Sequence, residues 1–210
     1  MKATEAYRRL IDINSSVIKT RDAMIALGIS LSGASYVLSR LEKDGFVIQL
    51  KSGTWLLDTK KDAWVIAKYI TMPDPCYISL LSALSYHKMI QQIPQAIELV
   101  SLGRAQKAET PIGNFKVYQV TPILFGDYIR DKDIVVASPE KAIFDYMYLK
   151  SVQGGFKAGL FEIEPPANFN EQIVEKWIGL IPSLRLKTMT QKAWENVKKE
   201  MDTIPETLSL

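Results

Sequence analysis

The sequence predicts a mixed α+β fold in two parts, a smaller one over residues 1–60 and a larger one over residues 61–210. Three stretches with helical spacing of apolar residues, followed by two β-rich runs around a glycine, indicate the first part. In the second part, short β-rich runs alternate with helical patterns, which is typical of helices packed on a sheet. A chain of 210 residues is long enough for two such cores.

Three helices are predicted in the first part. The first covers residues 4–13, and a very short strand at Val17 and Ile18 follows it. The second helix begins at Thr20, whose hydroxyl can cap it, and ends at Gly28. The third begins at Ser30 and ends at Gly45. Its apolar stripe, at positions i, i+3, i+4 and i+7, consists of Ala34, Val37, Leu38 and Leu41.

A β-hairpin is predicted immediately after the third helix. The run FVIQLKSGTWLL places Lys51, Ser52 and Gly53 between two β-rich stretches, and a glycine near such a tip favours a tight turn. Three helices followed by a hairpin is the order of a winged helix-turn-helix. We therefore predict an N-terminal winged helix-turn-helix DNA-binding domain over residues 1–60, followed by a larger mixed α+β domain over residues 61–210.

The elements of the larger domain are marked by caps and by prolines. A helix over residues 63–70 is predicted to end before Pro73 and Pro75, which cannot continue it. Ser79 can cap a helix that runs through residue 90, and Ser138 with Pro139 marks the start of another over residues 139–150. Strands are predicted at residues 97–101 and 133–137, with two more between them, of which residues 116–120 are the better marked. Two last helices are predicted at residues 171–181 and 190–201.

The composition excludes some classes of site. With Cys76 as its only cysteine and His87 as its only histidine, the chain cannot form an intramolecular disulfide or a zinc site rich in these residues. We therefore expect no metal and no cofactor. Charges interrupt every apolar run in residues 1–14, so we expect a cytoplasmic protein with neither a signal peptide nor a membrane span. The net charge of +3 is compatible with a nucleic-acid partner and does not establish one.

The polar face of the third helix predicts a DNA contact. Its side chains are small at the start and cationic at the end, so the helix can approach a duplex closely and donate to base edges. An ordinary solvated helix face is the alternative. The candidate DNA-binding residues are Ser30, Ser32, Gly33, Ser35, Tyr36, Ser39, Arg40 and Lys43 on this helix, Thr20 and Arg21 at the start of the second helix, and Lys51, Ser52, Gly53 and Thr54 on the hairpin.

No catalytic set is evident, and we expect a protein that is not an enzyme. His87 has no nucleophile or orienting acid at informative spacing. Asp44, Gln49 and Lys51 loosely imitate the carboxylate and lysine set of a metal nuclease, but Gln49 and Lys51 lie on the predicted hairpin and the spacing is common by chance. The mixed α+β character and scattered carboxylates of the larger domain leave a nucleic-acid-processing enzyme there as an alternative. A second alternative is an interaction module whose larger domain sequesters a protein. Glu140 looks catalytic, but its place near a helix start explains it.

Several stretches resemble the AbiEi antitoxin family of bacterial abortive-infection, type IV toxin–antitoxin pairs. They are YISLLSALSYHKMI, ELVS, PIGNFKVYQV and ASPEKAIFDYMYL, in residues 77–149. The resemblance implies a transcriptional regulator that binds inverted repeats of double-stranded DNA in its own promoter and neutralises a nucleotidyltransferase-like toxin. It also implies that the larger domain supplies antitoxicity and further basic surface at Arg104, Lys107 and Lys116. Lys88 stands where family members often carry glycine. A stand-alone regulator without a toxin would have the same architecture.

Overall fold

The structure is a computed structural model that describes residues 2–154 and 163–202. It confirms a mixed α+β fold. The larger predicted domain also includes residues 155–162 and 203–210, which lie outside the described residues. No single helix in the described ranges is both long enough and apolar enough to cross a membrane.

The first part contains three helices and a three-stranded antiparallel sheet. The elements are α1 (Ala3–Ile11), β1 (Val17–Lys19), α2 (Thr20–Leu27), α3 (Leu31–Lys43), β2 (Ile48–Lys51) and β3 (Thr54–Leu56). The sheet has the order β1-β3-β2, so the short strand between the first two helices pairs with the hairpin. These elements enclose one hydrophobic core, centred on Leu10, Leu38 and Trp55.

The connection between α2 and α3 is a turn of three residues. Gly28 has a φ of 66°, in the left-handed region that favours glycine, and the chain bends by 103° between the two helices. Ser30 then caps α3, because its hydroxyl accepts from the backbone N–H of Gly33 at 3.1 Å. The predicted cap of α2 was wrong. The helix begins at Thr20, but it is the carboxylate of Asp22 that accepts from the backbone N–H of Lys19, at 2.7 Å.

The described residues of the second part form a six-stranded mixed sheet with helices packed on it. The elements are α4 (Ala63–Ile70), β4 (Cys76–Ile78), α5 (Leu80–Tyr86), β5 (Ile97–Ser101), β6 (Gln106–Thr110), β7 (Gly113–Gln119), β8 (Tyr128–Asp131), β9 (Ile134–Ala137), α6 (Pro139–Val152), α7 (Glu171–Gly179) and α8 (Leu184–Asp202). The strand order is β6-β7-β5-β4-β9-β8, with β4 parallel to β9 and β5 parallel to β7.

Two helices differ from their predicted extents by more than two residues. The predicted helix over residues 79–90 is α5, which ends at Tyr86, because Lys88 has a left-handed φ of 59° and the N–H of Met89 turns back to the carbonyl of Leu84. Ser79 does not cap α5; its hydroxyl donates to Asp145 instead. The last helix begins six residues earlier than predicted, at 184 instead of 190.

The hairpin lies between the two cores. Its side chains alternate, as those of a strand must: Trp55 and Leu57 belong to the first core, whereas Leu50 and Leu56 belong to the second. β2 also lies against β6, the edge strand of the larger sheet. The hairpin is therefore packed between the two parts and does not stand free in solvent.

Candidate nucleic-acid interface

The third helix, α3, presents a polar ridge to solvent. Ser32, Tyr36, Ser39, Arg40 and Lys43 are exposed along it, as the helical spacing predicted. On the opposite side Ala34, Leu38 and Leu41 are fully buried in the first core. We name the exposed residues Ser32, Ser35, Tyr36, Ser39, Arg40 and Lys43 the α3 ridge. Its orientation is fixed because turning the helix would expose the buried stripe.

The cations on and near the α3 ridge are available to a ligand. Arg40 and Lys43 make no ion pair or side-chain hydrogen bond with any residue in the described ranges, and neither does Arg21 at the start of α2. All three side chains are exposed. Unpaired surface cations on one small unit give it a local positive potential that attracts polyanions.

Lys19 is a further candidate that sequence reasoning missed. It is exposed at the end of β1, and Thr54 separates it from Lys51 across the sheet, because Lys19 pairs with Thr54 and Thr54 pairs with Lys51. Its positive charge contributes to lowering the pKa of Lys51. The only sequence signal was a cation at the end of a very short strand. Spacing alone does not show with which distant strand that short strand pairs.

An open groove of about 620 Å³ runs between α1 and α3 beside the ridge. Ala3 of α1 forms one wall, while Gly33 and Val37 of α3 form the other with Tyr36 and Arg40. A side chain at Gly33 would place its Cβ 3.2 Å from the hydroxyl oxygen of Ser30, which caps the helix. A ligand in the groove can therefore contact Tyr36 and Arg40 from the side of α3 that faces α1.

The structure assigns Lys51 a different role from the predicted one. Its ammonium group donates to the carbonyl oxygens of Ile70 at 2.9 Å and Met72 at 3.1 Å, at the end of α4. Burial, and after it the charge of Lys19, lowers the pKa of Lys51. The side chain was expected to contact DNA from the hairpin. It is instead directed back onto the larger part.

Two predicted threonine contacts do not fit the structure. Thr54 is only 7% exposed within β3. The hydroxyl of Thr20 accepts from the indole N–H of Trp55 at 3.0 Å. Ser52 is exposed at the hairpin tip, and Gly53 takes a left-handed φ of 72°. The backbone N–H of Thr20 donates to the carbonyl of Gly53, so the tip lies beside the start of α2.

The additional basic residues lie on the larger part. Lys107 and Lys116 are directly opposite each other on β6 and β7. Lys107 is exposed, whereas Lys116 is half-buried with its ammonium 4.7 Å from the ring centre of Tyr118. Arg104 is exposed ahead of β6. The strand that carries Lys107, β6, is the one against which β2 of the hairpin lies.

A second group of ionisable side chains is buried in the larger core. Lys141 and Asp145 form an ion pair one turn apart on α6, and neither side chain is accessible to solvent. The hydroxyls of Tyr77 and Ser79 donate to the same carboxylate at 3.0 and 2.8 Å. Burial lowers the pKa of Lys141 and raises that of Asp145, while the opposite charge of each partner counteracts the shift. This closed network holds α6 against β4.

The residues considered for catalysis have structural partners. Glu140 accepts from the backbone N–H of Asn170 at 2.9 Å, and a ring nitrogen of His87 lies 2.7 Å from the carbonyl oxygen of Ala137. Within the described residues, no three His, Cys, Asp or Glu side chains gather as a metal-ligand group.

No protein-family model matches the chain, and no curated protein sequence matches it. The resemblance to AbiEi antitoxins therefore depends on the four quoted stretches. Two of them meet in the structure, because Tyr77 and Ser79 lie in the first stretch while Lys141 and Asp145 lie in the last.

Proposed function

We propose that the chain is a DNA-binding transcriptional regulator that inserts α3 into the major groove of double-stranded DNA. The observation that carries the proposal is the α3 ridge, an exposed surface of serines and Tyr36 that ends in two cations without an ion-pair partner in the described residues, opposite a stripe of fully buried residues. The 103° bend and the three-residue turn before α3 lie in the range of helix-turn-helix motifs. The order of helices and hairpin supports a winged helix-turn-helix.

The dimensions and chemistry of α3 suit a major groove. Its 13 residues span about 20 Å, and the groove admits one helix. Small side chains at Ser32 and Ser35 let the N-terminal half approach base edges. Arg40 can donate two parallel hydrogen bonds to a guanine, and Lys43 can contact a phosphate as a point charge. Arg21 supplies a further phosphate contact from α2.

We propose further that the regulator is the autoregulating antitoxin of a type IV pair and binds inverted repeats in its own promoter. The resemblance to AbiEi antitoxins supports this; two of the resembling stretches pack together in the core of the larger part. The larger part would then neutralise a nucleotidyltransferase-like toxin.

A gel-shift titration on the duplex upstream of the gene tests the DNA contact. We expect the wild type to form a specific complex and the double variant Arg40→Ala/Lys43→Ala to lose it. The double variant Arg185→Ala/Lys192→Ala removes the same charge from exposed positions of α8, and we expect it to bind as the wild type does. Equal binding by all three proteins would refute the proposal.

Co-expression with the product of the neighbouring gene tests the antitoxin role. We expect the chain to restore growth that a nucleotidyltransferase-like toxin arrests. The Arg40→Ala/Lys43→Ala variant should restore growth equally, because we assign antitoxicity to the larger part. Failure of both proteins to restore growth would leave a regulator without a toxin.

A further inference from the structure

Three large apolar side chains stand in solvent on α2 and α3. Ile25 is 74% exposed, Leu31 48% and Tyr36 71%. None belongs to the first core or to the partly buried apolar side chains packed on it. Single exposed apolar residues are common on protein surfaces, but these three lie on two short helices joined by one tight turn. Their side chains are available to a partner that offers apolar groups.

Two of these apolar side chains have, one helical turn away, a cation that makes no ion pair within residues 2–154 and 163–202. Tyr36 precedes Arg40 by four residues on α3, and Arg21 precedes Ile25 by four residues on α2, so each pair shares a helix face. The partner must therefore present apolar groups close to anionic ones. A major groove does so, because phosphates flank its base edges and the C5-methyl of thymine is the apolar group displayed there.

Leu31 lies at the end of α3 from which a thymine methyl group can be contacted. It is the first residue of α3, directly after the capping residue Ser30, and the N-terminal residues of a recognition helix are those that contact base edges. The leucine side chain carries no polar atom, so it can contact a methyl group and cannot hydrogen-bond to a base. The exposed side chains of Ser32 and Ser35 between Leu31 and Tyr36 are too small to hold the helix away from the duplex.

We infer that Leu31 and Tyr36 are specificity-determining residues that contact the C5-methyl groups of two thymines in the major groove. The inference depends on the proposed DNA binding and adds the chemistry of the preferred site. Leu31 distinguishes thymine from cytosine, which has no methyl group. The ring edge of Tyr36 contacts a second methyl group. Ile25, which lies on α2, is assigned no base contact.

Replacement of thymine by deoxyuracil tests this contact, because it removes only the methyl group. The duplex that the wild type binds most tightly is first selected from a random-sequence library, and each thymine is then replaced in turn. We expect the affinity to fall about three- to fivefold at two positions, the size expected for one buried methyl group.

Variants assign each position to a side chain. In Leu31→Ala, replacement of thymine by deoxyuracil should no longer lower the affinity at one of the two positions, and in Tyr36→Ala it should no longer do so at the other. Tyr36→Phe keeps the ring, so its affinity should still fall at both positions. Ile123→Ala is a matched control, because Ile123 is 52% exposed in a short 3-10 helix (Pro122–Leu124) of the larger part. We expect this variant to respond to both replacements as the wild type does.

The outcomes separate this inference from the proposed function. Specific binding with equal affinity for the thymine and deoxyuracil duplexes would overturn the inference and leave DNA binding standing. Failure to select any duplex would overturn both. If Leu31→Ala and Tyr36→Ala left DNA affinity unchanged but dissociated a dimer in analytical ultracentrifugation, these side chains would form a protein contact and the inference would be wrong.

Discussion

The ammonium group of Lys51 lies 2.9 Å from the carbonyl oxygen of Ile70, so the last residue of β2 is hydrogen-bonded to the last residue of α4. A cation at a helix C-terminus satisfies carbonyls that have no partner within the helix and interacts favourably with the helix dipole. The contact joins the hairpin of the first part to the larger part. The ammonium group of Lys51, which the sequence predicted to contact DNA, is therefore used within the protein.

Replacement of Lys51 by methionine should destabilise the fold without removing a phosphate contact. We expect the free energy of unfolding to fall by about 1 to 2 kcal/mol, because two charge-assisted hydrogen bonds are lost. The slope of the logarithm of DNA affinity against the logarithm of salt concentration should not change. Urea denaturation and anisotropy titrations at several salt concentrations measure the two quantities.

Lys43→Met is the matched control, because Lys43 is exposed and has no partner in the described part of the chain. We expect it to leave stability unchanged and to reduce the salt slope by about one unit, as loss of one phosphate contact does. A slope change in Lys51→Met as large as that in Lys43→Met would show that Lys51 leaves α4 to contact DNA.

Thr20→Val should affect stability and not DNA affinity. Valine keeps the shape of threonine but removes the oxygen that accepts from the indole of Trp55, which is only 2% exposed. A buried donor left without a partner costs about 1 to 3 kcal/mol. We expect a lower urea midpoint for the variant and an unchanged dissociation constant for the promoter duplex. A weaker complex at unchanged stability would instead support the original prediction of a DNA contact by Thr20.

The helices of the first part could be predicted because their signals are local. Ser30, Gly28 and the apolar stripe of α3 act within a few residues of where they stand, and the structure has α3 where these residues place it. β8 was not predicted, because all four of its residues are exposed and it shows no alternation of buried and exposed side chains. Its pairing with β9 depends on the turn between the two strands and on the place of β9 beside β4 in the sheet.

The candidate site could be predicted only in part for a similar reason. The exposure of Arg40 and Lys43 follows from helical spacing, which the sequence displays directly. The role of Lys51 depends on where the end of α4 lies, 19 residues further along the chain. The burial of Thr54 depends on its position in the central strand, between β1 and β2. The spacing of residues in the sequence does not predict such contacts between distant segments.

Removal of one partner of the buried ion pair should be strongly destabilising. Lys141→Met leaves the carboxylate of Asp145 buried without its cation, and we expect the free energy of unfolding to fall by about 3 to 5 kcal/mol. In Lys141→Met/Asp145→Leu no buried charge remains unpaired, so the double variant should lose less than the two single variants together. Urea denaturation of the wild type, Lys141→Met, Asp145→Leu and the double variant measures the coupling, and additive losses would contradict it.

Arg40→Ala should weaken specific DNA binding and relax the sequence preference. Arg40 is exposed, unpaired within the described residues and beside Tyr36 at the rim of the groove along α3. If it donates to a guanine, its loss costs about 1 to 3 kcal/mol of binding free energy and removes discrimination at that base pair alone. Arg40→Lys keeps the charge but not the planar fork, so it should recover affinity for all sequences without recovering the preference. Competition titrations with every single-base variant of the selected duplex measure both effects. Equal losses of affinity for all of these duplexes in Arg40→Ala would identify Arg40 as a phosphate contact, and the reading of bases would then rest on the remaining residues of the α3 ridge.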